Sequence, residues 1–255
     1  MKHWNLNGKV ALVTGGSKGI GKATVREFLR LGATVIFTGR NTIDLEQAQY
    51  EFEREGFWVH VICGDVTDAQ HRDAIYYYLL TTHGKLDILV NNAGMNIRKV
   101  ATAYSEDEYT NIIHNNLISP LAMSTRLLDM LKSAGQGAII NIASIAGSFD
   151  VRTGAPYGMA KAGLIQLSRN LANEWATFGI RVNTVSPGFT ETPLTKDMLE
   201  NPERRAKIME RITLKRIGID EEIAAMISFL AMDKASYITG QNFTVDGGLT
   251  SHVAV

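Results

Sequence analysis

Residues 9–21 of the chain read Lys9-Val10-Ala11-Leu12-Val13-Thr14-Gly15-Gly16-Ser17-Lys18-Gly19-Ile20-Gly21, and this segment indicates the fold. Its first half is a short apolar run, which predicts a buried strand. Its second half is a glycine-rich turn, and the apolar periodicity of residues 24–31 that follows predicts a helix. A strand, a tight turn and a helix in this order form the first half of a βαβ unit.

The same alternation continues to the end of the chain. Strand-like apolar runs recur at residues 34–38, 58–63, 86–90, 137–142, 180–185 and 242–245. Runs that are apolar at consecutive positions, as in residues 10–13 and 88–90, are expected when helices cover both faces of a sheet. We therefore predict an α/β fold in which residues 1–255 form a single doubly wound Rossmann domain, with a mostly parallel sheet of about seven strands flanked by helices.

The longest irregular region covers about residues 188–219. It contains two prolines, Pro193 and Pro202, and a mixed charged and apolar helical pattern. Ligands of open α/β sheets bind outside the carboxyl ends of the strands, and this region follows such an end. It is therefore predicted to be a substrate-covering flap, with an ordinary surface excursion as the alternative.

Composition excludes several classes of function. Lysine plus arginine (26) balances aspartate plus glutamate (26), so no overall field favours nucleic acid or an anionic membrane. Residues 1–8 are polar and no run is long enough to span a bilayer, which predicts a soluble cytoplasmic protein. The six histidines show no ligand spacing, so no metal is expected. The single cysteine, Cys63, is expected to pack as a small hydrophobe.

The glycine turn has the composition of a phosphate-binding turn. Its glycines allow close backbone approach to a pyrophosphate, and a helix that begins near Gly19 directs its free N-H groups at that anion. At the end of the second strand, where an acid would bind the ribose hydroxyls of NAD, the chain has Arg40. Arg40 and Lys18 together favour the 2′-phosphate of NADP(H), unless both merely face solvent.

Tyr157 and Lys161 are four residues apart, which on a helix places both side chains on one face. A nearby ammonium stabilises the tyrosinate and so lowers the pKa of a phenol that would otherwise be a poor acid-base catalyst. Ser144 lies 13 residues before Tyr157, at the end of a predicted strand. The three side chains are therefore candidates for one reacting centre.

These motifs, with Asn91-Asn92-Ala93-Gly94, Ser186-Pro187-Gly188 and Asp246-Gly247-Gly248, resemble the short-chain dehydrogenase/reductase family over the whole chain. Within that family the chain is similar to tropinone reductases. The segments that carry this likeness are Trp4-Asn5-Leu6, His83-Gly84-Lys85-Leu86, Asn201-Pro202-Glu203 and Ala235-Ser236-Tyr237-Ile238-Thr239-Gly240-Gln241.

The resemblance implies a role for each catalytic candidate. Tyr157 gives a proton to the carbonyl oxygen and Ser144 hydrogen-bonds that oxygen. Lys161 lowers the Tyr157 pKa and binds the nicotinamide ribose. Asn116 holds a water near the lysine and completes a proton relay. Its neighbour Asn115 is the competing assignment, and Asn116 is preferred because the family asparagine directly precedes an apolar residue.

The resemblance also implies a cofactor site and an assembly. Asp65 is expected to accept a hydrogen bond from the adenine amino group, or else to cap a helix. A homotetramer is expected through the helices that carry Asn116 and Tyr157. The residues expected to bind NADP(H) are Gly15, Ser17, Lys18, Gly19, Ile20, Gly21, Arg40, Asp65, Val66, Asn92, Ala93, Gly94, Tyr157, Lys161, Pro187, Gly188, Thr190 and Thr192.

The predicted function is the reversible, NADPH-dependent reduction of a small ketone or aldehyde. A 3-ketoacyl thioester reductase is the alternative, although Gly135 and Phe178 stand near the places where carrier-protein reductases of the family have arginines. A non-catalytic NADP-sensing protein is the alternative of another class, and the intact catalytic candidates argue against it. Arg98 is expected either to meet an acidic substrate group or to face solvent.

Overall fold

The structure, a computed structural model, describes residues 4–251, so residues 1–3 of the polar N-terminal segment lie outside it. One sheet has seven strands in the order β3-β2-β1-β4-β5-β6-β7, and every neighbouring pair is parallel. The predicted fold class is therefore confirmed. The strands are β1 (Val10–Val13), β2 (Thr34–Gly39), β3 (Val59–Cys63), β4 (Ile88–Asn91), β5 (Ala138–Ile142), β6 (Arg181–Pro187) and β7 (Asn242–Val245).

Helices connect the strands and cover both faces of the sheet. They are α1 (Gly19–Arg30), α2 (Thr42–Arg54), α3 (Ala69–Thr82), α4 (Glu106–Ile113), α5 (Ser119–Arg126), α6 (Leu128–Ser133), α7 (Ala155–Glu174), α8 (Lys196–Leu199), α9 (Pro202–Arg211) and α10 (Asp220–Ala231). One turn of π-helix, His114–Ile118, joins α4 to α5.

The central strand β1 shows why its sequence is apolar at consecutive positions. Ala11 and Val13 pack in the core cluster that contains the inner faces of α1, α2 and α10. Val10 and Leu12 point to the opposite side, where α3, α5, α6 and α7 supply the apolar partners. Because successive side chains of a strand alternate between faces, a strand covered on both sides needs an apolar residue at every position.

The sheet order reverses between β1 and β4, since the chain builds outward from β1 to β3 and then returns to the other side of β1. Such a switch point leaves a crevice at the carboxyl ends of the two strands. The glycine turn follows β1, and Asn92-Ala93-Gly94 follows β4, so the two motifs meet at this crevice.

At the edge of the sheet, Cys63 differs from what the sequence predicts. Cys63 is the last residue of the edge strand β3 and is exposed, with its Sγ atom 3.3 Å from Thr42 Oγ1. The expectation that it packs as a small hydrophobe is wrong, because Cys63 ends an edge strand and its side chain lies at the surface beside the polar first residue of α2. Within residues 4–251, no helix combines the length and apolar character needed to span a membrane.

Candidate active site

A cavity of about 490 Å³ lies at the carboxyl edge of the sheet, between the segments that follow β1, β4, β5 and β6. Gly21, Asp65 and Val66 do not line it, whereas the other predicted site residues do. Those lining residues are Gly15, Ser17, Lys18, Gly19, Ile20, Arg40, Asn92, Ala93, Gly94, Asn116, Ser144, Tyr157, Lys161, Pro187, Gly188, Thr190 and Thr192.

The glycine turn leaves the start of α1 open to this cavity. Gly15 adopts φ +65°, and a Cβ there would lie 3.1 Å from the Ala93 Cα atom. A Cβ on Gly21, inside α1, would lie 2.1 Å from the Gly15 carbonyl oxygen, so Gly21 is needed for packing although it does not line the cavity. Lys18 precedes α1 without a side-chain cap, and the first turn holds no acid. The unpaired N-H groups of α1 therefore suit an anion such as a pyrophosphate.

Asn92 and Thr14 hold the ends of β1 and β4 together. Asn92 Nδ2 donates to the carbonyl oxygens of Thr14 and Gly15, at 3.0 and 2.9 Å. Thr14 Oγ1 accepts from the backbone N-H groups of Asn92 and Ala93, both at 3.0 Å. The turn therefore has a defined position before any ligand binds.

The two cations predicted at the 2′-phosphate each have an acidic neighbour that sequence reasoning missed. Lys18 Nζ lies 2.7 Å from Asp44 Oδ2, and Arg40 Nη1 lies 3.5 Å from Asp65 Oδ2. Asp65 also accepts from the backbone and hydroxyl of Thr67, both at 2.8 Å. The carboxylate thus braces the turn after β3, but it does not cap α3, because Asp68 is the N-cap of that helix and accepts from the Gln70 N-H group. The Arg40 side chain remains 61% exposed, at the mouth of the cavity.

Helix α7 and the end of β5 bring the catalytic candidates together. Gly154, at φ +98°, precedes α7, and Pro156 occupies its first turn, so Tyr157 follows at a well-defined position. Lys161 lies one turn later, 4% exposed, and its Nζ donates to the Ile142 carbonyl oxygen at 2.7 Å. Ser144 follows β5, hydrogen-bonds Tyr157 and lines the same cavity.

Burial sets the protonation of both α7 side chains. It raises the pKa of Tyr157, although the hydrogen bond from Ser144 and the positive charge of Arg98 act in the opposite direction. It also lowers the pKa of Lys161 from 10.5 to about 7. The expected lowering of the tyrosine pKa by the lysine is therefore not what the structure has, because desolvation disfavours the charged form of each group.

The π-helical turn places Asn116 in the cavity and turns Asn115 away from it. Asn115 Nδ2 donates to Asn111 Oδ1 at 2.8 Å, whereas Asn116 Nδ2 donates to the carbonyl oxygens of Met95 and Ile112, both at 2.8 Å. In the described part of the chain, the buried Oδ1 of Asn116 has no hydrogen-bond partner.

The free Oδ1 atom of Asn116 lies near the Lys161 amine, as the space next to Gly94 shows. A Cβ built on Gly94 would lie 2.6 Å from Asn116 Oδ1 and 3.7 Å from Lys161 Nζ. An orphaned buried acceptor next to an amine is the environment that an ordered water occupies.

Several lining residues have no motif of their own. Val151 and Thr153 belong to the segment between Ser144 and Tyr157, which must cross the cavity to connect β5 with α7, so topology was the available signal. Asn96 Nδ2 donates to the Thr153 carbonyl at 2.9 Å and fixes this segment.

Residues 188–219 contribute an apolar wall to the same cavity. Phe189, Leu194 and Met198 line it. Leu199 packs below the surface with Met198 and does not line the cavity.

A doubly wound sheet, an open helix start at its switch point and a tyrosine-lysine pair in the same cavity define the class of dinucleotide-binding α/β oxidoreductases. Residues 15–250 match the family model described as Enoyl-(Acyl carrier protein) reductase. A tropinone reductase homologue from Arabidopsis thaliana is 41% identical over 253 residues, which cover 98% of this chain and 95% of the relative. The chain belongs to the short-chain dehydrogenase/reductase family, as its motifs predicted.

Solved structures agree with this assignment. A putative gluconate dehydrogenase from Agrobacterium tumefaciens has a TM-score of 0.95 at 32% identity, covering 99% of this chain and 100% of the neighbour. A gluconate 5-dehydrogenase from Burkholderia cenocepacia, in complex with NADP and tartrate, has a TM-score of 0.93 at 30% identity, covering 99% of each chain. The protein is therefore an oxidoreductase of a family that uses NAD(P).

Proposed function

We propose that the protein is an NADPH-dependent reductase of small ketones or aldehydes, working reversibly. The observation that carries the proposal is the meeting of Ser144, Tyr157 and Lys161 in the cavity that the glycine turn also lines. The turn follows β1 and Ser144 follows β5, two strands away, so roughly 10 Å separate the strand ends that would hold phosphate and carbonyl. This spacing suits a dinucleotide lying along the carboxyl edge of the sheet.

The described residues fit NADP(H). The open start of α1 would hold the pyrophosphate, and Arg40 with Lys18 would hold the 2′-phosphate. Because Asp44 and Asp65 neutralise part of this positive charge, the NADPH preference depends mainly on the exposed guanidinium of Arg40. When bound, the cofactor supplies or accepts the hydride at the reacting carbon.

In reduction, Tyr157 provides the proton. Burial keeps its phenol protonated at neutral pH, which is the form that donates to a carbonyl oxygen as the carbon receives hydride. Ser144 would hydrogen-bond the same oxygen while negative charge develops there. The product alcohol leaves a tyrosinate, which must regain a proton before the next turnover.

Lys161 and Asn116 supply the route for that proton. Lys161 has a pKa of about 7, so its amine gains and loses a proton readily at neutral pH. A water held by Asn116 Oδ1 would connect Lys161 with solvent, since this acceptor lies beside the amine.

A variant that lacks only the Tyr157 phenol oxygen tests the proposal. Tyr157→Phe should lower kcat for NADPH-dependent carbonyl reduction by about 10²- to 10⁴-fold, because the phenol is the proton donor. A fluorescence titration should show NADPH binding close to wild type, since the ring remains. Tyr109→Phe, which alters a partly exposed tyrosine of α4, is the matched control. Near-normal turnover in Tyr157→Phe would refute the assignment of the acid and favour a binding protein that performs no reaction.

A 3-ketoacyl thioester reductase is the second candidate, since the family model is described as Enoyl-(Acyl carrier protein) reductase, an activity on carrier-protein thioesters although at a carbon-carbon double bond. The same centre would reduce the β-carbonyl of the thioester. A panel that includes acetoacetyl thioesters, simple ketones, diketones and bicyclic amino ketones separates the two, with NADPH oxidation as the measurement.

Three further expectations accompany the proposal. Residues 188–219 would act as the flap over the substrate, with Phe189, Leu194 and Met198 on its inner side. The protein would work in the cytoplasm as a homotetramer assembled through α4, α5 and α7, which light scattering of the purified protein measures. Gluconate dehydrogenases among the structural neighbours add hydroxy acids to the substrates that the panel must include.

A further inference from the structure

The charged side chains that line the proposed catalytic cavity are all basic. Its lining, all within residues 4–251, includes four basic side chains and neither aspartate nor glutamate. Lys18 and Arg40 belong to the proposed phosphate site, each with an acid beside it. Lys161 donates to the Ile142 carbonyl and belongs to the proton route. The remaining cation is Arg98, which the proposed mechanism does not use.

Arg98 has spare hydrogen-bonding capacity. It follows β4, and its Nη2 donates to the Leu194 carbonyl oxygen of the flap at 3.1 Å. Its Nε is buried and, in the described part of the chain, lacks a hydrogen-bond partner. No carboxylate among residues 4–251 lies within ion-pair distance of the guanidinium. A permanent, partly buried charge with an unsatisfied donor is costly unless a ligand supplies the anion.

Arg98 lines the same cavity as Ser144, Tyr157 and Lys161. Its positive charge acts on the Tyr157 hydroxyl, so the two groups are within electrostatic range of each other. Val151, Thr153 and Met198 also line this cavity. A substrate that presents its carbonyl to Tyr157 and Ser144 therefore presents its remaining part to Arg98.

We infer that Arg98 binds a carboxylate of the substrate, and that the protein acts on small keto acids and hydroxy acids. A guanidinium matches a carboxylate with two parallel hydrogen bonds, which its two terminal nitrogens can provide, since Nη2 has a second N-H besides the one that Leu194 accepts. A cationic amino ketone meets the same charge as a repulsion, because no acidic side chain lines the cavity to offset it. The inference rests on the proposed function, and it assigns Arg98 to substrate specificity.

Three ketones that share one ring test this assignment. They are 4-oxocyclohexanecarboxylate, the neutral 4-oxocyclohexanecarboxamide and the cationic 4-(dimethylamino)cyclohexanone, each measured by NADPH oxidation. The wild type should prefer the anion. Arg98→Gln should lower kcat/KM for the anion by about 10- to 100-fold, mainly through KM, and that for the amide by less than about 3-fold. Arg98→Lys should recover part of the loss, since it restores the charge without the fork.

Arg211→Gln is the matched control. Arg211 is exposed in the last turn of α9 and does not line the cavity, so its removal changes the same net charge without changing the ratio of anion to amide. Equal losses for anion and amide in Arg98→Gln would overturn the inference, because they would mean that Arg98 only ties the flap through Leu194. Tyr157-dependent reduction without preference for the anion would overturn it too, while leaving the proposed function intact.

If none of the three ketones is reduced, a binding measurement tests whether Arg98 binds the carboxylate. Calorimetric titration of 4-oxocyclohexanecarboxylate into the NADP⁺-loaded protein should show binding that Arg98→Gln loses and Arg211→Gln keeps. Absent binding, or equal binding by all three proteins, would overturn the role of Arg98. The proposed function would then be judged separately by the wider carbonyl panel.

Discussion

Replacing Lys161 by methionine should change how the stability of the protein depends on pH. Lys161 is 4% exposed, and burial lowers its pKa from 10.5 to about 7. The unfolded chain therefore binds a proton that the folded protein lacks between these two pH values. Stability rises with pH wherever the unfolded state binds more protons, so the cost of burying this amine is present below about pH 7 and is relieved above it. Lys161→Met removes the titrating group and fills the site with an unbranched apolar chain.

The magnitude follows from the two pKa values. The full separation between 10.5 and about 7 corresponds to about 5 kcal/mol, at 1.36 kcal/mol per pKa unit. Of this, about 2 kcal/mol is recovered between pH 7 and pH 9, since the folded protein is half protonated at the lower pH. The wild type should therefore gain about 2 kcal/mol of unfolding free energy relative to Lys161→Met over this interval, and the difference should be constant below about pH 6.

Urea unfolding at pH 6, 7, 8 and 9, without added dinucleotide, measures this difference. Lys207→Met replaces an exposed lysine of α9 and should run parallel to the wild type at every pH. A constant difference between wild type and Lys161→Met from pH 6 to pH 9 would refute the reasoning. It would mean that the buried amine keeps an ordinary pKa, and the proton route through Lys161 would lose its physical basis.

Two further predictions concern the cofactor and the core. Arg40→Asp should shift the ratio of kcat/KM for NADPH to that for NADH by about 10- to 100-fold towards NADH, since it removes the charge-assisted bonds to the 2′-phosphate. Arg54→Asp, in the exposed last turn of α2, is the control. An unchanged ratio in Arg40→Asp would contradict the assignment of Arg40 to the 2′-phosphate. Asn141→Ala should lower the unfolding free energy by about 2 kcal/mol or more, because this fully buried amide accepts from Asn91 at 2.8 Å and donates to Ser168 at 2.8 Å. Unchanged urea midpoints would contradict the inference that Asn141 stabilises the fold by joining β5 to Asn91 of β4 and Ser168 of α7.

The strand-helix alternation and the site motifs were available from the sequence. Apolar residues at consecutive positions of residues 10–13 predict a strand covered on both faces, and the structure distributes them between two core clusters. The glycine turn, Ser144, Tyr157 and Lys161 could be named as candidates because catalysis and phosphate binding require particular residue types at short, regular spacings. Topology then brings these motifs to one edge, since the carboxyl ends of parallel strands lie on the same side.

The directions of the pKa shifts and the acidic partners of the cations are visible only in the tertiary structure. The spacing of Tyr157 and Lys161 suggests a tyrosine made more acidic by an ammonium, yet burial raises one pKa and lowers the other. Similarly, Lys18 and Arg40 appear as free cations in the sequence, whereas folding places Asp44 and Asp65 beside them. Desolvation and pairing depend on what packs around a group, which residues distant in the chain determine.

The fold class and the family could be predicted from the sequence, and so could the candidate residues of the catalytic centre, because periodicity and short-range spacing encode them. Only the tertiary structure shows that Arg98 lines the same cavity as Tyr157 with no acidic partner among residues 4–251, that Asn116 rather than Asn115 lines that cavity, and that Cys63 is exposed. Each of these depends on how a side chain is oriented and screened by segments far away in the chain, and no local pattern records that environment.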